Sequence, residues 1–347
     1  MKNKFILVAL LLLTFVLSGC GGKTGGGNSG GAAAENAPPA SAKPASEDLK
    51  VTMLNVGQGD ALLIQTKSQN ILIDTSDQDE RSKLVKELDK AGVTTFDKII
   101  LTHPHADHIG GVEKLLKESK YTVKEIYDNG VAATGKLYLN YMKLIKDSGG
   151  KIKHGTLVTG DVLDFGDGVK FEVLAPDKSV VDAVNSGRQQ TDPNNESIVG
   201  RLVYKDFTMM FTGDAEISEE VAILSSSRDN LQNLKSRVLK SGHHGSRTSL
   251  DPSNASSVDF LRLMNPEYVV ISAGEPTEKR GGNTYGHPHL EPLEAYLNNG
   301  IASKNIFWSW KNGTVTIVTD GKNISVTPEI KEDWVEEWIA QKKKSKK

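Results

Sequence analysis

The chain is poor in several things. One cysteine, Cys20, stands among 347 residues. No disulfide can therefore close within the chain, and its stability must come from packing. Aromatic residues make up only 6% and the formal net charge is −2, so composition neither demands nor excludes a polyanionic partner. After residue 20 there is no long apolar run, so this chain carries no transmembrane channel. Histidine is scarce as well. There are eight, yet three fall within the six residues His103-Pro-His-Ala-Asp-His108.

The N-terminus is organised as an export signal. Lys2 and Lys4 precede an apolar run from Phe5 to Leu17, and Leu17-Ser-Gly-Cys20 closes it. A basic start, a short apolar core and small residues before a processing point make a secretory signal peptide. Its ending resembles a bacterial lipobox, which implies a lipidated Cys20. Residues 1–20 are thus expected to be a lipoprotein signal peptide. Residues 21–47, rich in Gly, Ala, Ser and Pro, are expected to be a disordered tether. The expected location is the bacterial cell surface, extracytoplasmic, with the membrane as a partner through the lipid anchor. Residues 48–325 form the expected folded domain. Residues 326–347 form a C-terminal helix with Trp334 and Trp338 four apart, followed by a basic tail.

The folded part opens with short apolar runs at 49–56, 61–66 and 70–75, punctuated by Gly57-Gln-Gly-Asp60 and by Lys67-Ser-Gln69. These read as an antiparallel meander. A surface helix follows over 78–91, with Leu84, Val85 and Leu88 on one face and Gly92 ending it. After the His cluster come a helix, a strand and a helix. The second half repeats this grammar through hairpins at 162–174 and 197–212, then alternating strands and helices to 319. Two runs of strands interleaved with helices predict an α/β protein with two packed sheets and helices outside.

Four of the six residues at 103–108 can ligate a metal, and Lys98-Ile-Ile-Leu-Thr102 before them reads as a buried strand. Imidazole with carboxylate suits zinc or another first-row divalent ion. Three further segments place ligand-type residues after a strand: Phe211-Thr-Gly-Asp214, Ser241-Gly-His-His-Gly-Ser246, and Tyr285-Gly-His-Pro-His289. The candidates are His103, His105, Asp107, His108, Asp214, His243 or His244, and His287. They exceed the needs of one ion and suit two that share a bridging group. Such a pair brings a bridging water into the neutral range, which is hydrolytic chemistry favouring phosphoesters. His154 stands apart and is expected to be solvated.

The His-x-His-x-Asp-His segment with its following glycines resembles the signature motif of the metallo-β-lactamase superfamily, and Phe211-Thr-Gly-Asp214 resembles its bridging-Asp motif. The finer match is to the soluble domain of ComEC-type competence proteins. It rests on the stretches from Met53 to Ile64, Asn194 to Val199, Leu239 to Ser249 and Tyr285 to His289, within an overall span of about 49–320. The resemblance implies an αββα four-layer sandwich with a metal site at one edge. It further implies that His103 and His105 hold the first ion, Asp107 and His108 the second, and that Asp214 bridges. Of the adjacent pair, His243 is preferred as the ligand completing the second site, leaving His244 to face the substrate. His287 is a candidate ligand or proton donor, with Asp107, His244 and His287 forming the catalytic set. Asn195, Ser197, Ser246 and Asp60 are candidate substrate contacts. A third histidine for the first ion is missing between the motif and Asp214, and Asn195 is the expected substitute. Asn is a weak zinc ligand, so manganese stands as the alternative to zinc. Asp60 is equally a candidate for orienting a ligating His from behind.

The expected function is a surface-anchored hydrolase cleaving phosphodiesters through a metal-bridged hydroxide. The expected substrate is nucleic acid, DNA first, with links to DNA uptake or extracellular DNA degradation. The alternatives are a phosphorylcholine or teichoic-acid esterase of the cell envelope, and a DNA-binding lipoprotein with a degenerate site.

Overall fold

The computed structural model describes residues 48–226, 234–279 and 282–345. Cys20, the signal peptide and the tether lie outside the described residues. Among the described residues no helix is long and apolar enough to cross a membrane.

The first half runs β1 (Leu49–Met53), β2 (Leu62–Gln65), β3 (Asn70–Ile73), α1 (Arg81–Ala91), β4 (Thr95–Ile100), α2 (Ala106–Ile109), α3 (Val112–Lys117), β5 (Thr122–Asp128), α4 (Lys136–Asp147) and β6 (Lys153–Thr156). The second half runs β7 (Val162–Asp164), β8 (Lys170–Ala175), α5 (Lys178–Asn185), β9 (Val199–Tyr204), β10 (Phe207–Phe211), α6 (Ile217–Ser226), β11 (Val238–Lys240), α7 (Ala255–Met264), β12 (Tyr268–Ile271), α8 (Leu290–Asn298), β13 (Ile306–Trp308), α9 (Ser309–Asn312), β14 (Val315–Thr319), β15 (Ile324–Pro328) and α10 (Val335–Ser345). One sheet has the order β15-β14-β1-β2-β3-β4-β5-β6 and the other β13-β12-β11-β10-β9-β8-β7. Each is antiparallel on one side and parallel on the other, with β3 to β6 and β10 to β13 as the parallel runs.

The sheets pack face to face. Met53, Ile64 and Ile71 of the first sheet share one buried cluster with Phe171, Leu202 and Phe211 of the second. The outer face of the first sheet is covered by Leu84, Leu88, Leu115 and Tyr141 from its helices. The outer face of the second is covered by Phe260, Leu293, Tyr296 and Trp334. Strand β10 is buried at all five positions because both its faces are covered. This is the expected αββα sandwich. Helix α1 starts after a 3-10 turn at Gln78–Glu80 and ends on Gly92, whose φ of 69° closes the helix in the left-handed conformation.

Five elements escaped the sequence reading: α2, β6, α5, α9 and β15. All are short, exposed or at an edge, where periodicity is weakest. His154 lies on β6, exposed as expected, with its Nε2 2.8 Å from Asp128 Oδ2. The C-terminal helix is also more than an appendage. Trp334 and Val335 are buried in the second outer core, and Trp308 stacks edgewise on Trp334 and Trp338 at 5.0 Å.

Gly200 on β9 faces Phe171, and a Cβ there would lie 2.1 Å from the ring. Phe171 cannot retreat, being stacked on Phe165 at 5.5 Å and edged by Phe211 at 6.0 Å. Gly200→Val should therefore cost about 1–3 kcal/mol through overpacking. A thermal melt with no drop in Tm would contradict this packing.

Candidate metal centre

The parallel runs of both sheets end at one edge, where loops leaving the C-terminal ends of strands can converge. From the first sheet, β3 leads to Asp74 and β4 to Thr102, His103 and the turn into α2. From the second, β10 leads to Asp214, β11 to His243 and His244, and β12 to Ser272.

At the centre, Asp107, His108, Asp214 and His244 bring one ligand atom each within 4.8 Å of one another. His108 Nε2 is 3.2 Å and His244 Nε2 3.5 Å from Asp214 Oδ2, and His244 Nε2 is 3.0 Å from Asp107 Oδ2. His103 and His105 converge beside this group, with Nε2 and Nδ1 3.0 Å apart. His103 Nε2 lies 3.9 Å from the same Asp214 oxygen. Asp214 thus stands between two sets of imidazoles. His108 Nε2 and Asp214 Oδ1 are buried with no hydrogen-bond partner. Orphaned buried polar atoms are rare and costly, and divalent ions would satisfy both. The donor set, imidazole nitrogen and carboxylate oxygen, fits such ions.

The far sides of the rings are fixed from behind. His108 Nδ1 donates to Asp74 Oδ2 at 2.8 Å, and Asp74 also accepts from the Thr102 backbone N–H and hydroxyl at 2.8 Å each. His244 Nδ1 donates to the Ser272 carbonyl at 2.7 Å and lies 3.3 Å from Asp60 Oδ1. Asp60 pairs with buried Lys240 at 2.7 Å and accepts from the Ser272 hydroxyl. These contacts leave each Nε2 facing the cluster.

The electrostatics follow. Burial alone would keep His108 and His244 neutral, but Asp214 with Asp74 and Asp60 overrides it and raises both well above the usual histidine range. Burial would raise Asp107, yet His244 and His108 hold it below the carboxylate range. The same contest, won by His108 and His244, holds Asp214 well below that range. His103 is pushed the other way, first by burial and then by the charge of His108. The centre is an ion-pair network whose protons metal uptake would displace.

Several expectations need correction. His244, not His243, joins the buried cluster. His244 keeps 1% side-chain exposure and His243 22%. His243 Nδ1 instead meets Glu216 at 3.1 Å, with its Nε2 3.7 Å from Asp214. Both rings are aimed by a turn with φ of 44° at His243 and 55° at His244, a conformation that costs on the order of 1–3 kcal/mol per non-glycine residue. Asn195 does not reach the centre. Its Oδ1 accepts from the Glu216 and Glu219 N–H groups at 3.2 and 3.3 Å, holding the segment that leads into α6. Asn194 lines the cavity instead, with a buried unpartnered Oδ1. Ser197 is fully buried and accepts from the Asp214 N–H at 3.2 Å, so it positions rather than meets substrate. Of the two roles read for Asp60, its position 3.3 Å behind His244 and its 1% exposure fit the orienting one. Ser246 lines the cavity, hydrogen-bonded to Thr248. His287 is buried against His243 and His244, with an unpartnered Nδ1. Burial and the neighbouring His244 push it down to about 2, which favours the neutral ring.

Asp74, Lys240, Asn194 and Arg247 were not singled out from sequence. A charged residue ending an otherwise apolar strand, as Asp74 and Lys240 do, was the available signal. Above the centre lies an open cavity of about 820 Å3, whose lining includes His105, Asp107, Asp214, His243, Arg247 and His287.

Two sheets delivering histidines and carboxylates from their strand ends to one shared aspartate define a metal-dependent hydrolase with a candidate dinuclear centre. The description of the metallo-beta-lactamase superfamily matches residues 54–273, and the chain belongs to that superfamily. Among curated proteins it is 28% identical over 288 residues to ComE operon protein 3 of Bacillus subtilis, covering 78% of this chain and 33% of that protein. It is 30% identical over 239 residues to competence protein ComA of Neisseria gonorrhoeae, covering 69% of this chain and 28% of that protein. The chain thus spans about a third or less of these relatives. Among solved structures, the metallo-beta-lactamase fold protein YhfI of Bacillus subtilis aligns with a TM-score of 0.47 at 13% identity, covering 77% of this chain and 99% of that one.

Removing the anchor behind His108 should loosen the centre. Asp74→Asn is expected to weaken divalent-metal affinity about 10–100-fold, measured by calorimetric titration of zinc and manganese into the metal-free protein. Unchanged affinity with unchanged circular dichroism would show that Asp74 does not orient the ring.

Proposed function

We propose that this protein is a metal-dependent phosphodiesterase acting on nucleic acid, DNA first, at the outer face of a bacterial membrane. Its service would be DNA uptake or the degradation of extracellular DNA. The observation that carries this reading is Asp214, buried between the His103–His105 pair and the Asp107–His108–His244 group at the floor of an open cavity. Two divalent ions held by these side chains, zinc or manganese, would supply an activated water and neutralise charge on a phosphoryl group.

The chain's own residues do the rest. Asp214 keeps the two ligand groups at a common spacing. Asp74 and the Ser272 carbonyl hold His108 and His244 in the tautomer that presents Nε2, and Asp60 supports His244 from the same side. Arg247 lines the same cavity, and its planar guanidinium matches phosphate oxygens. The cavity opens to solvent and carries carboxylate, histidine and arginine side chains in its lining, which suits a chain-like anionic substrate. The competence relatives support a nucleic-acid substrate, since competence is the uptake of DNA. The sequence at Cys20 supports anchoring at the surface.

Asp214→Ala should abolish turnover of a chromogenic phosphodiester and of single-stranded and double-stranded DNA, in a protein that still folds by circular dichroism but melts at a lower Tm. EDTA should abolish turnover by the unmodified protein. Full activity in the variant would defeat the mechanism, and tight DNA binding without any turnover would mark a binding protein instead. For the anchor, Cys20→Ser should move the protein from the membrane fraction to the soluble fraction. Persistence in the membrane fraction would refute lipidation at that residue.

A further inference from the structure

Tyr285 is the most exposed large hydrophobic residue among those described, at 73%. It is not on a loose loop. Asn283 donates to the Gly274 carbonyl at 2.9 Å and receives the His287 N–H at 3.0 Å. The Tyr285 carbonyl lies 3.1 Å from His289 Nε2, and Trp338 of α10 donates to the Pro288 carbonyl at 3.3 Å. An aromatic ring exposed on a well-tied loop at the rim of the cavity is available for stacking without first being ordered.

Its place sharpens the point. Tyr285 lies parallel to His287, 17° between planes and 5.7 Å between centroids, and His287 lies 24° and 6.1 Å from His244. Ring follows ring from His244 through His287 to Tyr285, from the metal centre to the rim of the cavity. Arg247 lines the same cavity. Its guanidinium can meet a phosphate, and the exposed aromatic face at the rim of that cavity matches a nucleobase.

We propose that Tyr285 is a base-stacking platform, holding an unpaired base next to the phosphate seated at the metal centre, and that the substrate is therefore single-stranded nucleic acid. This rests on the phosphodiesterase reading and adds the substrate's form to it. A base in a duplex is already stacked on both faces, whereas an unpaired one offers its face to the ring.

The test compares a single-stranded DNA oligonucleotide with the same backbone carrying abasic tetrahydrofuran units. Binding to the metal-loaded protein is read by fluorescence anisotropy, and cleavage by KM. The unmodified protein should prefer the base-bearing strand, and Tyr285→Ala should reduce that preference by about 5- to 150-fold, the range of one base–aromatic stack. Tyr285→Phe should keep it. Loss of affinity for both strands alike would overturn the proposal and make Tyr285 a support for His287. So would a preference untouched in Tyr285→Ala, or a loss confined to p-nitrophenylphosphorylcholine. If the unmodified protein cleaves no phosphodiester, the hydrolytic reading fails by itself, and the binding preference still decides the role of Tyr285.

Discussion

Everything at this site depends on one buried carboxylate. Asp214 is 1% exposed, and the Nε2 atoms of His108, His244, His243 and His103 lie 3.2, 3.5, 3.7 and 3.9 Å from its Oδ2. An isolated carboxylate in such a place would be strongly destabilising. It is tolerated because two of the rings carry raised proton affinity, and because divalent ions offer the same compensation with more charge. The cluster is therefore a place where folding and metal binding are coupled. Breaking it would leave charge buried without a partner, which is far costlier than losing a surface pair.

The carboxylate can occupy that position only because two sheets are packed. Asp214 leaves the second sheet after β10, while His103 to His108 leave the first after β4. The apolar layer from Ile64 and Ile71 to Phe171 and Phe211 holds the two edges together. A second tier of hydrogen bonds then sets ring orientation. Asp74 and Thr102 serve His108, and Asp60, Lys240 and Ser272 serve His244. The left-handed turn through His243 and His244 is the conformational cost of sending two neighbouring rings in different directions. The Ser272–Asp60 and Lys240–Asp60 contacts span distant parts of the chain and tie that turn to the first sheet.

Much of this was legible beforehand, for identifiable reasons. Strands such as β10 and β4 are apolar or alternating runs bounded by glycine and polar turns, so their existence could be read. The sandwich followed from their two-fold repetition with helices. Ligand types and their location at strand ends were legible because histidine is scarce and seven of the eight fall in such segments. The short edge strands β6 and β15 were not, since their faces are half exposed and carry little pattern.

The sequence by itself determined the chemistry available: which residues can ligate, and that both sheets must contribute them. Tertiary structure decided the assignments between neighbours. His244 rather than His243 enters the cluster, and Asn194 rather than Asn195 faces the cavity. Ser197 turned out to support Asp214 rather than meet substrate, and of the two roles read for Asp60 the structure favours the one behind a ligating His. Adjacent residues are chemically alike in a string of letters. Backbone dihedrals at a turn, and the partners waiting behind each ring, send one inward to a buried carboxylate and the other to a helix terminus or to solvent.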